Sequence, residues 1–246
     1  MHKYIGIILV LFLTSCVEEQ ESCGTTEELG IRVVNDAVEA HGGNAYLTIS
    51  LSFKFREYNY TWEESKGYYK YTRQLVEDST NTIDILEDGE FSRLTNGIEN
   101  NLSSEMMDKY SSSINSVIYF LALPYKLKDD AVKADYSGEL ENHNTVAVTF
   151  KEEGGGEDFE DEYFYWFNKE TKELEYFAYN YQVNGGGARF RAAYNPRVVA
   201  GILFQDYVNY EAPVDVPLKD LLDLYLADSL KELSRIETEN ISPLVD

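Results

Sequence analysis

Arg189 and Arg191 stand two residues apart in the segment GGGARFR, a spacing that puts both guanidinium groups on one face of an extended strand. A guanidinium presents a rigid fork of N–H donors that matches a carboxylate or a phosphate, so the pair could clamp an oxyanion headgroup. Tyr194 follows three residues after Arg191. The opposite charge is concentrated nearby, in Glu152, Glu153, Glu157, Asp158, Glu160, Asp161 and Glu162. Oxygen-rich clusters can hold Ca²⁺, but this run lacks the ligand order of an EF-hand, and a strand sends alternate carboxylates to opposite faces. Cross-strand pairing of these acids with the arginines is the plainer expectation, and no metal or cofactor is expected. The histidines are His2, His41 and His143, with no HExxH, no CxxC, no Gly-x-Ser-x-Gly elbow and no P-loop. The sequence therefore reads as a non-enzyme.

These residues belong to the most distinctive stretch of the chain, which runs from Phe150 to Tyr194. Two triglycines, Gly154, Gly155, Gly156 and Gly185, Gly186, Gly187, flank two aromatic-rich runs joined by the polar loop Asn168–Lys172. A hairpin folded between Glu170 and Thr171 sets Gly155 against Gly186, Arg189 against Glu152 and Arg191 against Phe150. Three glycines are costly inside a strand, so the pair predicts a bent structural corner, with the second strand continuing through it to Tyr194.

The chain has 246 residues, of which 43% are hydrophobic, with 20 Tyr and 12 Phe. Tyrosine on this scale suits sheet surfaces. Acidic residues outnumber basic ones 44 to 21, a net charge of −23, which argues against nucleic acid as a partner. Lys3 precedes the apolar run Ile5–Leu13, too short to span a bilayer. It ends in Leu13-Thr14-Ser15-Cys16, which resembles the bacterial lipobox. The resemblance implies a signal peptide over 1–15, lipidation of Cys16 and membrane attachment through it, and acyl chains of that kind anchor stably. Residues 16–26, with Cys23, then form a tether, and 27–246 one mainly β domain. With Cys16 lipidated, no intramolecular disulfide is available.

Thr25 and Glu28 have capping-box spacing, and Ile31, Val34, Ala37 and Val38 line one face of a helix that closes at His41-Gly42-Gly43. From Leu47 the apolar period becomes two, with a bulge expected after Arg56. Strands are predicted at 68–76, 82–87 and 91–95, with turns at Asp88-Gly89 and Asn96-Gly97. Two helices are predicted at 102–112 and 114–123. The run Val117–Leu123, which contains Phe120, reads as fully buried, or alternatively as a lid over an apolar cavity or a membrane-touching tip. Strands return at 136–140, 145–151 and 198–211, the last apolar on both faces and so covered on both. A helix is predicted over 218–233, followed by a loose tail.

Ala37–Gly43, Ser116–Tyr125, the EGGGEDFED run and the GGGARFR run resemble an uncharacterised family of bacterial outer-membrane lipoproteins, a domain of unknown function, over most of the mature chain. The layout is more loosely similar to the LolA/LolB-like fold, an incomplete β-barrel whose helices cap an apolar cavity. The expected fold is thus α+β, mainly β: a strongly curved antiparallel sheet with an N-terminal helix, a helical insertion near 102–123 and a C-terminal helix. The expected function is a non-catalytic lipoprotein of the cell envelope, anchored to the outer membrane on its periplasmic face or at the cell surface. It would bind a lipid or other apolar ligand, with Arg189, Arg191, Tyr194 and Phe120 as candidate contacts. The alternative is an envelope scaffold that binds proteins through a tyrosine-rich sheet, and a hydrolase comes third.

Overall fold

A computed structural model describes residues 24–151, 161–182 and 186–244. The first helix, α1 (Thr26–His41), begins with the expected capping box. The Thr25 amide donates to Glu28 Oε2 at 2.9 Å, and the Glu28 amide donates to Thr25 Oγ1 at 3.2 Å. Val34, Ala37 and Val38 turn inward from it. A meander follows: β1 (Thr48–Phe55), β2 (Tyr58–Ser65), β3 (Tyr68–Glu77), β4 (Thr80–Glu87), β5 (Glu90–Thr95) and β6 (Ile98–Glu99). Asp88-Gly89 and Asn96-Gly97 both have positive φ at each residue, as a two-residue hairpin turn requires. The bulge expected after Arg56 is instead the β1–β2 turn itself, with Arg56 at φ 55°. One helix, α2 (Ser104–Leu121), replaces the two expected there, because Ser112 and Ser113 are tolerated within it.

The second half carries β7 (Val132–Leu140), β8 (His143–Phe150), β9 (Tyr163–Asn168), β10 (Leu174–Tyr181), β11 (Gly187–Val199), β12 (Ile202–Ala212), the short α3 (Leu221–Leu226), β13 (Lys231–Ile236) and β14 (Glu239–Pro243). The fold is α+β and mainly β, as the sequence indicates. Its strands divide into two seven-stranded antiparallel sheets, ordered β14-β1-β2-β3-β4-β5-β6 and β13-β12-β11-β10-β9-β8-β7, and neither closes on itself. The expected long C-terminal helix stops at Leu226, and the segment expected as a loose tail becomes β14, which pairs with β1.

The sheets face each other across the main core, where Leu51, Phe53, Tyr60 and Trp62 meet Tyr165, Phe177 and Tyr207, closed by Val34 and Val38 of α1 and Ile114 and Ile118 of α2. The second sheet is buried on its other face too: Phe164, Trp166 and Phe190 pack under Leu221 and Leu222 of α3. That double cover explains why its strands read as continuous aromatic runs. The helix end that carries the Ala-His-Gly-Gly signature docks on this sheet. His41 Nε2 accepts from the Leu174 amide at 3.1 Å, and a Cβ on Gly42 (φ 143°) would lie 2.8 Å from the Gly201 carbonyl oxygen. Burial lowers the His41 pKa to about 4, so the ring is neutral and, with Nε2 accepting, carries its proton on Nδ1.

Candidate functional site

Beside its buried face, α2 carries a second stripe that the core covers only in part. Ile114 and Ile118 are buried, whereas Ser113, Ser116, Val117, Phe120 and Leu121 repeat at helical spacing along a second stripe that lines a cleft of about 290 Å³. The full burial expected for Val117–Leu123 therefore holds only in part: Val117, Phe120 and Leu121 are half-buried. A buried ion cluster fixes this helix against the first sheet. Asp84 receives Arg73 through Nε and Nη2 at 3.0 and 2.6 Å, and Arg93 through Nη2 at 2.9 Å and through Nε. Arg73 Nη1 then reaches Ser113 Oγ at 2.9 Å, and the Arg93 guanidinium lies 3.6 Å from the Tyr110 ring centroid.

The opposite wall comes from the second sheet, with Arg191 on β11, Gln205 and Tyr207 on β12, and Ile236 and Thr238 beyond; Phe55 and Arg56 of the β1–β2 corner complete the rim. Arg191 is only 8% exposed. Its guanidinium carbon lies 4.2 Å from the Phe120 centroid, 5.3 Å from Phe177 and 5.2 Å from Tyr179. Nη2 donates to the Tyr179 hydroxyl at 2.8 Å, while Nε has no acceptor. Among the described residues no carboxylate lies in salt-bridge range of it. Burial pushes the Tyr207 hydroxyl pKa up, while the nearby Arg191 charge pulls the other way, so the hydroxyl stays protonated as a donor. Gln205 Oε1 is also buried without a partner.

Of the residues singled out from sequence, the structure brings Phe120 and Arg191 together in this cleft. Arg191 faces Phe177 and Asn209 across its neighbours and not Phe150, which pairs with Val132. The reason is the reversal at the second triglycine: β10 ends at Tyr181 and the chain turns back, with Gly186 (φ 74°) just ahead of β11, whose first residue Gly187 pairs with Tyr181. The Tyr181 ring lies over Gly187, and a Cβ there would sit 2.5 Å from Tyr181 Oη and displace that side chain. Arg189, opposite Tyr179 and Glu211, places its guanidinium 5.1 Å from the Tyr181 centroid and donates to the Ala188 carbonyl, away from the cleft lining. Tyr194 donates to Glu237 Oε1 at 2.8 Å, also outside the lining. Cys16, Gly154, Gly155, Gly156, Gly185 and the acids Glu152, Glu153, Glu157, Asp158 and Glu160 lie outside the described residues.

Sequence reasoning missed Arg56, Gln205 and Tyr207. Gln205, a polar residue within a strand otherwise read as apolar on both faces, was the available signal for an interior amide. The two histidines of the domain are engaged structurally: besides His41, His143 Nε2 meets Glu175 Oε2 at 2.7 Å. No group of three or more His, Cys, Asp or Glu side chains that could hold a metal occurs among the described residues.

No curated protein matches this sequence. Among solved structures, a DUF1329 family protein from Desulfovibrio piger is similar at 11% identity, over 90% of this chain and 95% of its own, with a TM-score of 0.43. Residues 2–238 fit the family of unknown function DUF6503, and the chain belongs to that family.

Proposed function

We propose that this chain is a non-catalytic lipoprotein, held in the cell envelope through Cys16, whose domain binds an apolar ligand in the cleft between α2 and strands β11 and β12. The observation that carries the reading is the cleft itself. Val117, Phe120, Leu121, Phe55, Tyr207 and Ile236 give it apolar walls, among which stand the polar groups of Arg56, Ser113, Ser116, Arg191, Gln205 and Thr238. Its volume sits at the lower edge of small-ligand sites, so the ligand is a single slender molecule and not a multi-chain lipid. The competing scaffold reading relies on exposed tyrosines, yet Tyr46, Tyr60, Tyr71, Tyr163, Tyr165 and Tyr207 are all buried.

The test is to purify the Cys16→Ala protein from its host, extract it and analyse the extract by mass spectrometry. A stoichiometric apolar molecule is expected. An empty extract, together with no thermal stabilisation by decanoate or decan-1-ol, overturns ligand binding. The anchor is tested separately by fractionation: Cys16→Ala should leave the membrane fraction, and retention there refutes lipidation as the attachment.

A further inference from the structure

We infer that the cleft selects a single-chain amphiphile with an anionic oxyacid headgroup, and that Arg191 is the residue that reads that headgroup; this rests on the apolar-ligand reading above. In a chain with 44 acidic and 21 basic residues, the cleft lining contains Arg56 and Arg191 and no Asp or Glu. Asp206, next in sequence to two lining residues, is already engaged by Arg197 Nη2 at 2.8 Å, Asn195 Nδ2 at 2.6 Å and the Thr238 amide at 3.0 Å. Its charge does not compensate Arg191.

A bland account of Arg191 is that Phe120, Phe177 and Tyr179 satisfy it by cation–π contact. That account covers only part of the group. Aromatic rings attract the face of a guanidinium, whereas its N–H bonds point outward in its own plane and need acceptors. Of five N–H donors only one, on Nη2, has an acceptor among the described residues, and Nε is buried without one. Buried charges are normally paired, because an isolated one carries a large desolvation cost. An incoming carboxylate supplies the missing counter-charge and accepts from the free edge. Tyr207 and the Gln205 amide flank that position, and Arg56 at the rim adds a second positive charge. Val117, Phe120 and Leu121, beside Arg191, offer one alkyl chain apolar contact. A lining that joins apolar walls to an uncompensated charge discriminates against both halves of the ligand offered alone.

The experiment uses calorimetric titration of the full-length Cys16→Ala protein, delipidated, with decanoate, decan-1-ol, acetate and inorganic phosphate. Decanoate should bind at least tenfold more tightly than decanol, and acetate and phosphate should not register. Arg191→Met keeps the length and packing of the side chain while removing the buried charge, a change that cores commonly tolerate. It should abolish the preference by weakening decanoate to the level of decanol, while decanol is held as before. Gln205→Leu gives a second, independent variant and should weaken decanoate but not decanol. Equal binding of decanoate and decanol by the unaltered protein overturns headgroup recognition while leaving the apolar-ligand reading intact. Binding of neither overturns that reading itself. Acetate or phosphate binding as tightly as decanoate overturns the amphiphile in favour of a free-anion site.

Discussion

Gly30 is a point of close approach between α1 and the second sheet, and replacing it tests how the helix is held. A Cβ built on Gly30 lies 2.2 Å from the Ala134 carbonyl oxygen, 2.7 Å from its carbon and 2.9 Å from the Tyr136 amide nitrogen. All three are backbone atoms of β7, so no side chain can swing aside. Ordinary contact begins near 3.4 Å, so the helix and strand must separate by about 1.2 Å. Gly30→Ala thus sets two effects of opposite sign against each other. Removing glycine from a helix interior stabilises by about 1 kcal/mol, while forcing atoms into a filled interface costs about 1–3 kcal/mol or more. Because the obstacle is backbone, the upper end of that cost applies, and the net expectation is a loss of about 2 kcal/mol, or a drop in Tm of about 4–8 °C. Urea titration followed by tryptophan fluorescence reports it well, since Trp62 and Trp166 are both fully buried, one in each sheet. A Gly30→Ala protein as stable as the parent, or more stable, with an unchanged urea slope would refute the close packing of α1 on β7.

Two further predictions concern buried charge. The His41 pKa, lowered to about 4 from about 6.5, means that the neutral ring's contribution is complete above pH 6.5 and is lost as pH falls towards 4. Stability measured at pH 7 and pH 5 should fall by about 2 kcal/mol more in the parent than in His41→Gln, whose amide oxygen can still accept from Leu174; equal falls would refute the assignment. Asp84→Asn leaves Arg73 and Arg93 facing each other without their shared counter-charge, so it should cost about 3–5 kcal/mol and loosen α2 through the Arg73–Ser113 link. Hydrogen exchange along α2 measures the second effect, and unchanged protection there would count against the cluster as the helix's fastening.

The local grammar of this chain is readable because several residues each admit one structure. Thr25 with Glu28 gives a helix start, and Asp88-Gly89 and Asn96-Gly97 give tight hairpins, each by backbone chemistry confined to a few positions. Arg191 and Phe120 could be picked out as candidates from a strand spacing and an apolar run. Their meeting could not, because it depends on α2 crossing to the second sheet. The second triglycine misled for a physical reason: glycines permit both a bent strand and a reversal, and only the partner of β11 decides between them. The C-terminal region misled differently. Lys231–Ile236 and Glu239–Pro243 are mostly exposed and pair through backbone bonds, so their side chains carry little of the strand signal that apolar alternation provides elsewhere.

Those two strands join sheets that are otherwise separate, since β13 edges one and β14 edges the other. Between them, Glu237 accepts from the Tyr194 hydroxyl, the Thr238 carbonyl accepts from Arg197 and the Thr238 amide donates to Asp206. Leu51 finds Pro243 only across nearly the whole domain, a loop whose closure entropy must be overcome late in folding. Ile236 and Thr238 are also part of the cleft wall. The order of assembly therefore puts the cleft last: a chain with the other strands built, but with residues 231–243 still hanging free of them, has a gap where the wall should be. Closing the cleft and completing the fold become one event.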